Sequence, residues 1–160
     1  MKVLGLGDNV VDKYVNLAIM YPGGNALNFA VFAKKLGQDS SFMGVFGSDA
    51  EGKHVVSAVK DLSIDYSHSR FETGENGCAR VEIKEGDRIF LGSNEGGVTR
   101  EHPIELTQED RKYLTQFELI HMGLYSHVNH LLNELCDFPA NVSYDFSDDF
   151  TEEEILRAID

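Results

Sequence analysis

The sequence predicts an α/β protein with a doubly wound, mostly parallel β-sheet that carries an antiparallel β lid. Two observations predict this class. Short apolar runs that end at glycine alternate with amphipathic helical segments near both ends of the chain, which is the pattern of β-α-β-α winding. In the middle of the chain, strand-like runs alternate apolar and polar residues, which is typical of a sheet with one buried and one wetted face.

The first part of the chain predicts the beginning of the parallel sheet. Apolar residues recur with the helical period up to Gly37, a natural helix C-cap, and Asp49 can cap a second amphipathic helix. The predicted elements are, in order, a strand at 2–7, a helix at 25–36, a strand at 41–46 and a helix at 49–62. The residues expected on the buried helix faces are Ala26, Phe29, Ala30, Ala33, Leu36, Val55, Val56, Val59 and Leu62.

The β lid is expected to take in about residues 12–20 and 65–92, inserted into the α/β domain. The sequence Glu85-Gly86-Asp87 separates the last two lid strands and is typical of a hairpin turn. We predict lid strands at 13–19, 65–70, 78–84 and 88–91.

Parallel winding is predicted to resume at Thr107, which forms a capping box with Asp110. A further helix is expected to begin at Thr151, with acidic residues in its first turn. The remaining predicted elements are a strand at 117–122, a helix at 126–135 and a strand at 141–146. We expect the sheet to be incomplete at its C-terminal end, so that Ile155, Leu156 and Ile159 are exposed and favour self-association.

Composition narrows the functional classes. The 160 residues carry a formal net charge of -13, which argues against a nucleic-acid-binding face and against adsorption to anionic membranes. The apolar runs are too short to cross a bilayer, and the two cysteines have no metal-ligand spacing. We therefore expect a cytoplasmic protein with a small-molecule partner, and a locally basic pocket could still take an anionic substrate.

A glycine pair that opens a helix marks the candidate binding site. Gly23 and Gly24 allow a ligand to approach bare backbone N–H groups at the helix N-terminus, and Asn25 and Asn28 add side-chain donors and acceptors. Polar residues that follow the first strand are expected nearby, because ligands bind at the carboxyl ends of strands in such sheets. These residues are Asp8, Asn9 and Asp12.

Two other patterns in the sequence do not predict a site: a group of histidines and a pair of glycines in the first strand. His127 and His130 are three residues apart and His121 ends a nearby strand, but no carboxylate or cysteine completes a metal pattern, so we expect no metal site. His121 is expected in the core or at the edge of a pocket. A dinucleotide fingerprint fails because Gly5 and Gly7 are not followed by a third glycine before a helix.

The glycine pair and its downstream spacing resemble the N-terminal signature of the ribokinase/PfkB carbohydrate kinases. The segment Gly-Gly-Asn-Ala-Leu-Asn at 23–28, followed by Ala30, Gly37 and Gly47, is similar to that signature at each constrained position, and Asp49 with Gly52 resembles the turn that follows it. Within the family, four segments resemble fructoselysine 6-kinases. These segments are 7–12, 22–26, 87–90 and 144–148.

The resemblance implies a ribokinase-like fold, with residues 1–160 as the N-terminal part of one domain. It implies ATP and Mg²⁺ as cofactors of the full-length enzyme, a primary hydroxyl of a sugar or fructosamine as acceptor, and a homodimer formed through the β lid. The implied substrate-binding residues are Asp12, Gly23, Gly24, Asn25 and Asn28, with Arg88 and Phe90 from the lid. Asp8, Asn9, Arg80, Asp145 and Asp148 are weaker candidates, and ordinary capping, turn or surface roles remain open for all of these side chains.

The sequence departs from the family pattern in one respect. The second signature, Gly-Ala-Gly-Asp, which in the family supplies the catalytic base and anion hole, does not occur in these residues, and neither does the Asn-x-x-Glu motif. We therefore expect no catalytic residue here, and a chain that binds no cofactor and is inactive as a kinase when alone. The alternative interpretation is a noncatalytic sugar-binding or dimerisation module.

Overall fold

A computed structural model describes residues 1–147 and 151–153 of the chain. Among these residues, two β-sheets and the helices between them account for the regular structure. The strands are β1 Lys2–Gly7, β2 Val10–Tyr14, β3 Ile19–Gly23, β4 Asp39–Gly47, β5 Arg70–Glu72, β6 Gly77–Lys84, β7 Asp87–Ser93, β8 Leu119–Gly123 and β9 Asn141–Asp145. The helices are α1 Asn25–Lys35, α2 Ala50–Asp61, α3 Val98–Glu101, α4 Gln108–Leu114 and α5 Leu132–Leu135.

The main sheet is parallel and doubly wound. Five strands within the described residues pair in the order β5-β4-β1-β8-β9, all in parallel. Strand β4 is buried along nearly its whole length, because helices cover both faces of the sheet. Its side chains point alternately into the two core clusters, one on each face. Phe42 and Phe46 pack with α1 and α2, whereas Met43 and Val45 pack with α4 and α5. The predicted fold class is confirmed.

The second sheet consists of β3, β2, β6 and β7, paired in that order. The β2–β3 and β6–β7 pairs are antiparallel, whereas β2 and β6 pair in parallel. The expected antiparallel lid is therefore a mixed sheet. Its β6–β7 turn lies at Glu85 and Gly86, both with positive φ, at the predicted position.

Two predicted lid strands differ from the observed ones. Residues 13–19 form the end of β2, a turn and the start of β3, because the backbone N–H of Leu17 donates to the carbonyl of Tyr14. Residues 65–70 form an isolated bridge from Asp65 to Ser41 and a turn, and Arg70 begins β5, which pairs with β4 in the main sheet. The ring of Phe71 lies 5.3 Å from that of Phe46, so apolar packing holds this segment against the α/β core.

The predicted helix at 126–135 is broken into short turns. His127 has a left-handed backbone, with φ of 54°, which interrupts the helix, and a four-residue α5 follows only from Leu132. The expectation for Leu36 is also wrong, since its side chain is 79% exposed as the C-cap of α1. Helix α3 carried no clear signal in the sequence.

Both predicted helix caps are present. The Asp49 carboxylate accepts a hydrogen bond from the backbone N–H of Gly52 at 2.8 Å. Thr107 and Asp110 form the reciprocal capping box at the start of α4. Asp148, Ile155, Leu156 and Ile159, and most of the helix predicted from Thr151, lie outside the described residues. In the part of the chain that the structure describes, no helix is long and apolar enough to cross a membrane.

Candidate functional site

A cleft of about 760 Å³ lies where the carboxyl ends of the parallel strands meet the second sheet. The end of β1, the start of α1 and the end of β9 form one side, and β6 and β7 form the other. Its lining residues are Asp8, Val10, Gly24, Asn25, Cys78, Ala79, Arg88, Phe90, Ser93, Glu95, Gly96, Leu124, Tyr125, His127, Asp145 and Ser147.

Asp8 supplies the cap that helix α1 lacks in its own sequence. Gly24 occupies the N-cap position and has no side chain to accept from the first N–H groups. The Asp8 carboxylate accepts from the backbone N–H of Asn25 at 2.5 Å and from that of Ala26 at 3.1 Å. The Ser126 hydroxyl donates to the same carboxylate at 2.8 Å. Asp8 is only 5% exposed, so it fixes the helix N-terminus at the floor of the cleft.

Gly24 is required by the backbone at this junction. Its φ of 106° is a conformation that favours glycine. A Cβ at this position would lie 2.8 Å from the Asp8 carbonyl oxygen and 2.9 Å from the Asn9 Cα. The glycine therefore lets the chain turn tightly into α1 while the helix terminus stays open to the cleft.

Asn25 connects the helix to the far strands through a polar network. Its Nδ2 donates to the Asp145 carboxylate, and its Oδ1 accepts from His121 Nε2 at 2.7 Å. His121 Nδ1 lies 3.0 Å from the Ser143 hydroxyl. We call Asp8, Asn25, His121, Ser143 and Asp145 the cleft network.

Burial holds the pKa of His121 below its usual value, although Asp145 and Asp8 oppose this shift. The ring also stacks on Phe29, with centroids 4.6 Å apart. His121 is therefore neutral at neutral pH, and each ring nitrogen has one defined role, as donor or as acceptor. His121 is half-buried and does not line the cleft itself, but it contacts the lining residue Asn25.

Asp12 and Arg88 join the two hairpins of the second sheet. Arg88 Nη2 lies 3.1 Å from Asp12 Oδ1, and Arg88 and Phe90 project from β7 into the cleft lining. The other carboxylate oxygen of Asp12 faces Gly23, because a Cβ there would lie 3.4 Å from Oδ2. The pair is partly exposed, so its Coulombic attraction adds little to stability.

Of the predicted residues, Asp8, Gly24, Asn25, Arg88, Phe90 and Asp145 line the cleft, whereas Asp12 and Gly23 lie beside it and Asn9, Asn28 and Arg80 are outside its lining. Asn28 lies one turn into α1 with an exposed side chain, away from the cleft lining. Asn9 is fully buried and donates to the Val45 carbonyl at 2.8 Å, so it has a role in the core. Arg80 is exposed on β6, and Asp145 both accepts from the Ser147 N–H in a turn and lines the cleft.

Several lining residues were not predicted from the sequence. Ser126, which supports the lining without belonging to it, is fully buried, and its hydroxyl donates to Asp8. Glu95, Gly96 and His127 come from loops whose position depends on long-range packing. Among the described residues, no group of three or more His, Cys, Asp or Glu side chains could hold a metal ion.

Together, the fold and this cleft provide a space at the end of a parallel sheet that is suited to a small polar molecule. Donors come from the side chains of Asn25 and Arg88, and acceptors come from carboxylates, which suits a ligand with several hydroxyl groups. The sequence profile of the pfkB family carbohydrate kinase matches residues 5–141, and the chain belongs to this family.

Two curated relatives are similar to this protein over nearly the whole chain. The fructosamine kinase FrlD of Bacillus subtilis (strain 168) is 39% identical over 160 residues, which is 99% of this chain. The fructoselysine 6-kinase of Escherichia coli (strain K12) is 30% identical over 149 residues, or 92% of this chain. The chain spans 56% of the length of each of these relatives.

Solved structures share the fold at lower identity. Fructokinase from Xylella fastidiosa superimposes with a TM-score of 0.77 at 17% identity, over 99% of this chain and 59% of that one. Ribokinase from Giardia lamblia gives a TM-score of 0.71 at 17% identity, over 97% and 55%. The mostly parallel α/β architecture is thus that of known sugar kinase structures.

Proposed function

We propose that this chain is the substrate-binding part of an ATP-dependent carbohydrate kinase that phosphorylates a primary hydroxyl of a fructosamine such as fructoselysine. The observation that carries the proposal is the cleft in which Asp8, Gly24 and Asn25, at the capped start of α1, face Arg88 and Phe90. The names of the relatives, a fructosamine kinase and a fructoselysine 6-kinase, support this choice of acceptor.

The sugar hydroxyls would be held from both sides of the cleft. Asp12 pairs through Oδ1 with Arg88, so its Oδ2 beside Gly23 is the oxygen proposed to accept from the sugar. Asn25 offers a side-chain N–H, and Arg88 can donate to a hydroxyl or to a carbonyl oxygen of the open-chain fructosamine. The exposed side chain of Asn28 lies outside the cleft lining, so it would contact the sugar only if the start of α1 moved.

We propose that the second sheet acts as a lid over the sugar and as the contact surface of a homodimer. Phe90 is 60% exposed in the cleft lining, where it would exclude water once a sugar is bound. Large apolar side chains elsewhere on the same sheet are also exposed, which favours association with a second copy. They are Val15, Leu17, Ile19, Tyr21, Ile89 and Leu91.

In the proposed reaction, ATP with Mg²⁺ supplies the phosphoryl group, and the residues of this chain position the acceptor hydroxyl and exclude water. One structure of the fructokinase from Xylella fastidiosa was solved with bound ATP. The Gly-Ala-Gly-Asp signature tied by resemblance to the base and anion hole does not occur in the 160 residues. We therefore propose that the chain alone binds the acceptor without phosphorylating it.

Calorimetric titration of the 160-residue protein with fructoselysine tests the binding proposal, with ribose as the comparison. We expect fructoselysine to bind more tightly than ribose, and no heat with either sugar would contradict the proposal. A coupled ADP-release assay tests catalysis. Fructoselysine-dependent ADP release is expected from the product of the complete gene and not from the 160-residue chain, and robust turnover by the chain alone would contradict the proposed division.

The same assays separate the alternative of a noncatalytic module. If the product of the complete gene binds fructoselysine but releases no ADP, the protein is a sugar-binding module. The exposed apolar side chains of the second sheet favour dimerisation under either function, and sedimentation velocity measures it directly.

A further inference from the structure

His121 lies behind the cleft, and among the described residues its side chain contacts the cleft lining through Asn25. Its Nε2 is 2.7 Å from Asn25 Oδ1, its Nδ1 is 3.0 Å from the Ser143 hydroxyl, and its ring stacks on Phe29. Asn25 in turn lines the cleft. The histidine is therefore placed to determine how the asparagine presents its amide group.

The charge at the far end of the network determines the orientation of the amide. The Asp145 carboxylate accepts hydrogen bonds, so the Asn25 atom that faces it is Nδ2. The Oδ1 atom then faces His121, which must carry its proton on Nε2. The unprotonated Nδ1 accepts from the Ser143 hydroxyl, and each contact in the chain has one consistent polarity.

Hydrogen bonds hold both ends of Asn25. Its backbone N–H donates to Asp8, and its amide bonds both Asp145 and His121. Since one of the two Nδ2 protons goes to Asp145, the second is available to a ligand. Without the His121 contact, Asp145 alone would hold the amide, which would then be less restricted in rotation about its side-chain bonds.

We propose that His121 is a positioning residue that locks the side-chain amide of Asn25 so that it donates a hydrogen bond to the bound sugar. This inference rests on the proposed function for the identity of the sugar, but the geometry of the His121–Asn25 pair does not depend on it. The roles are distinct: Asn25 touches the substrate, and His121 acts through Asn25.

The first test reads the ring itself. Nitrogen-15 NMR of the histidine-labelled 160-residue protein at pH 7.5 should show His121 as the neutral tautomer with its proton on Nε2. In Ser143→Ala, the Nδ1 acceptor loses its donor, and the ring resonances should shift. A wild-type His121 protonated on Nδ1 alone would overturn the proposal, whatever sugar the protein binds.

The second test uses a matched pair of substitutions. In His121→Gln, the side-chain amide can place an N–H donor near the position of Nε2, whereas His121→Phe keeps the stacking on Phe29 and removes the donor. We expect His121→Phe to raise the Kd for fructoselysine about tenfold, the equivalent of one hydrogen bond of about 1.4 kcal/mol, and His121→Gln to restore most of the affinity. His102→Gln, on the surface, is the control.

The outcomes separate this inference from the proposed function. If wild-type protein binds no fructoselysine, the proposed function fails, and the tautomer of His121 still decides the inference. If fructoselysine binds and both His121 variants bind it as tightly as wild type, His121 has no positioning role. Equal loss in both variants, with an unchanged midpoint of thermal unfolding, would also contradict it, because the donor restored by glutamine would have had no effect.

Discussion

The cleft network and the cluster around Asp110 are alike in their chemistry and differ in what surrounds them. Asp8 and Asp110 are both buried carboxylates, 5% and 2% exposed, and each accepts hydrogen bonds at the start of a helix. Asp110 is enclosed by His68, Arg70 and Thr107, and we call these four residues the Asp110 cluster. Asp8 instead lies at the floor of a cleft of about 760 Å³.

This difference shows that a strongly bonded carboxylate is not by itself a sign of a functional site. The Asp110 cluster joins α4 to the edge of the main sheet, and its ring contacts continue into the core, since His68 stacks on Tyr113 with centroids 3.8 Å apart. Its carboxylate has a cation and several donors, which leaves little capacity for a ligand. In the cleft network, the side chains of Asp8, Asn25 and Asp145 line open space. The available space identifies the site, and the perturbed carboxylate does not.

The largest expected effect is on stability, from Asp110→Ala. The substitution leaves the Arg70 guanidinium and the Thr107 cap without their shared acceptor, so we expect the free energy of unfolding to fall by about 3 kcal/mol. Urea denaturation measures it, and Glu109→Ala on the exposed face of α4 is the control, expected to stay within about 0.5 kcal/mol. Where the variant remains folded, its affinity for fructoselysine should equal that of wild type. A large loss of affinity would mean that the Asp110 cluster, like the cleft network, contributes to binding.

The next effect is expected at Gly24→Ala, on the cleft side of the comparison. Here the new Cβ meets backbone atoms of Asp8 and Asn9 below 3.0 Å, in addition to the strain of a positive φ. Gly37→Ala is a matched control, since Gly37 has a φ of 81° and nothing within 4 Å of the added Cβ. We expect a cost of about 1 kcal/mol at Gly37 from backbone strain alone, and about 2–3 kcal/mol at Gly24.

Thermal or urea unfolding of the two glycine variants tests this difference. Fructoselysine affinity should fall in Gly24→Ala and stay unchanged in Gly37→Ala, because only Gly24 lines the cleft. Equal costs in the two variants would mean that Asp8 and Asn9 move aside easily, and that the junction at the start of α1 is not rigid.

A smaller change in stability, with a clear change in binding, is expected for Asp8→Asn. An amide can accept from only one of the N–H groups of Asn25 and Ala26 with its oxygen, and it lacks the charge that suits a helix N-terminus, so the expected cost is about 1–2 kcal/mol. Affinity for fructoselysine should fall more than tenfold, because the floor of the cleft rearranges. Asp39→Asn, an exposed carboxylate at the start of β4, is the control; unchanged affinity in Asp8→Asn would place Asp8 with the Asp110 cluster as purely structural.

The same comparison explains how far the sequence alone could reach. Local signals identified the glycine pair, the caps at Asp49 and Thr107 and the strand pattern of the main sheet, because each depends on neighbours within a few residues. The bond from Ser126 to Asp8 spans 118 positions, and that from His121 to Asn25 spans 96. No local pattern marks such contacts, so the roles of Ser126 and Ser143 and the link from His121 to Asn25 emerged only from the fold.

The turn within residues 13–19 has the same kind of cause. The sequence predicts a strand there, but Asn16 bonds both the N–H and the carbonyl of Ile83, 67 positions away, and the chain turns. At 65–70, alternation predicts a lid strand, but the chain forms a bridge and a turn, and β5 begins only at Arg70, in the main sheet.

The smallest effects are expected in the pH dependence of stability, where the two regions should separate. Burial lowers the pKa of His121, so the unfolded chain binds its proton more readily than the folded one, and the free energy of unfolding should fall as the pH drops below the ordinary histidine value of about 6.5. The pKa of Asp110 is lowered because hydrogen bonds from His68, Thr107 and Arg70 outweigh the opposing effect of burial. Its contribution is present at higher pH and is lost only as the pH falls below the ordinary aspartate value of about 3.9.

Urea unfolding between pH 8 and pH 3 should therefore show two separate declines. His121→Gln should remove part of the decline near pH 6 and leave the acid one, whereas Asp110→Asn should reduce the acid decline and leave the one near pH 6. Asp65, whose pKa is also lowered as bonds from Ser67 and the Tyr113 hydroxyl overcome burial, keeps part of the acid decline in that variant. If both variants changed the free energy of unfolding over the same pH range, the cleft network and the Asp110 cluster would be coupled through the main sheet. They could then not be treated as a separate binding site and structural cluster.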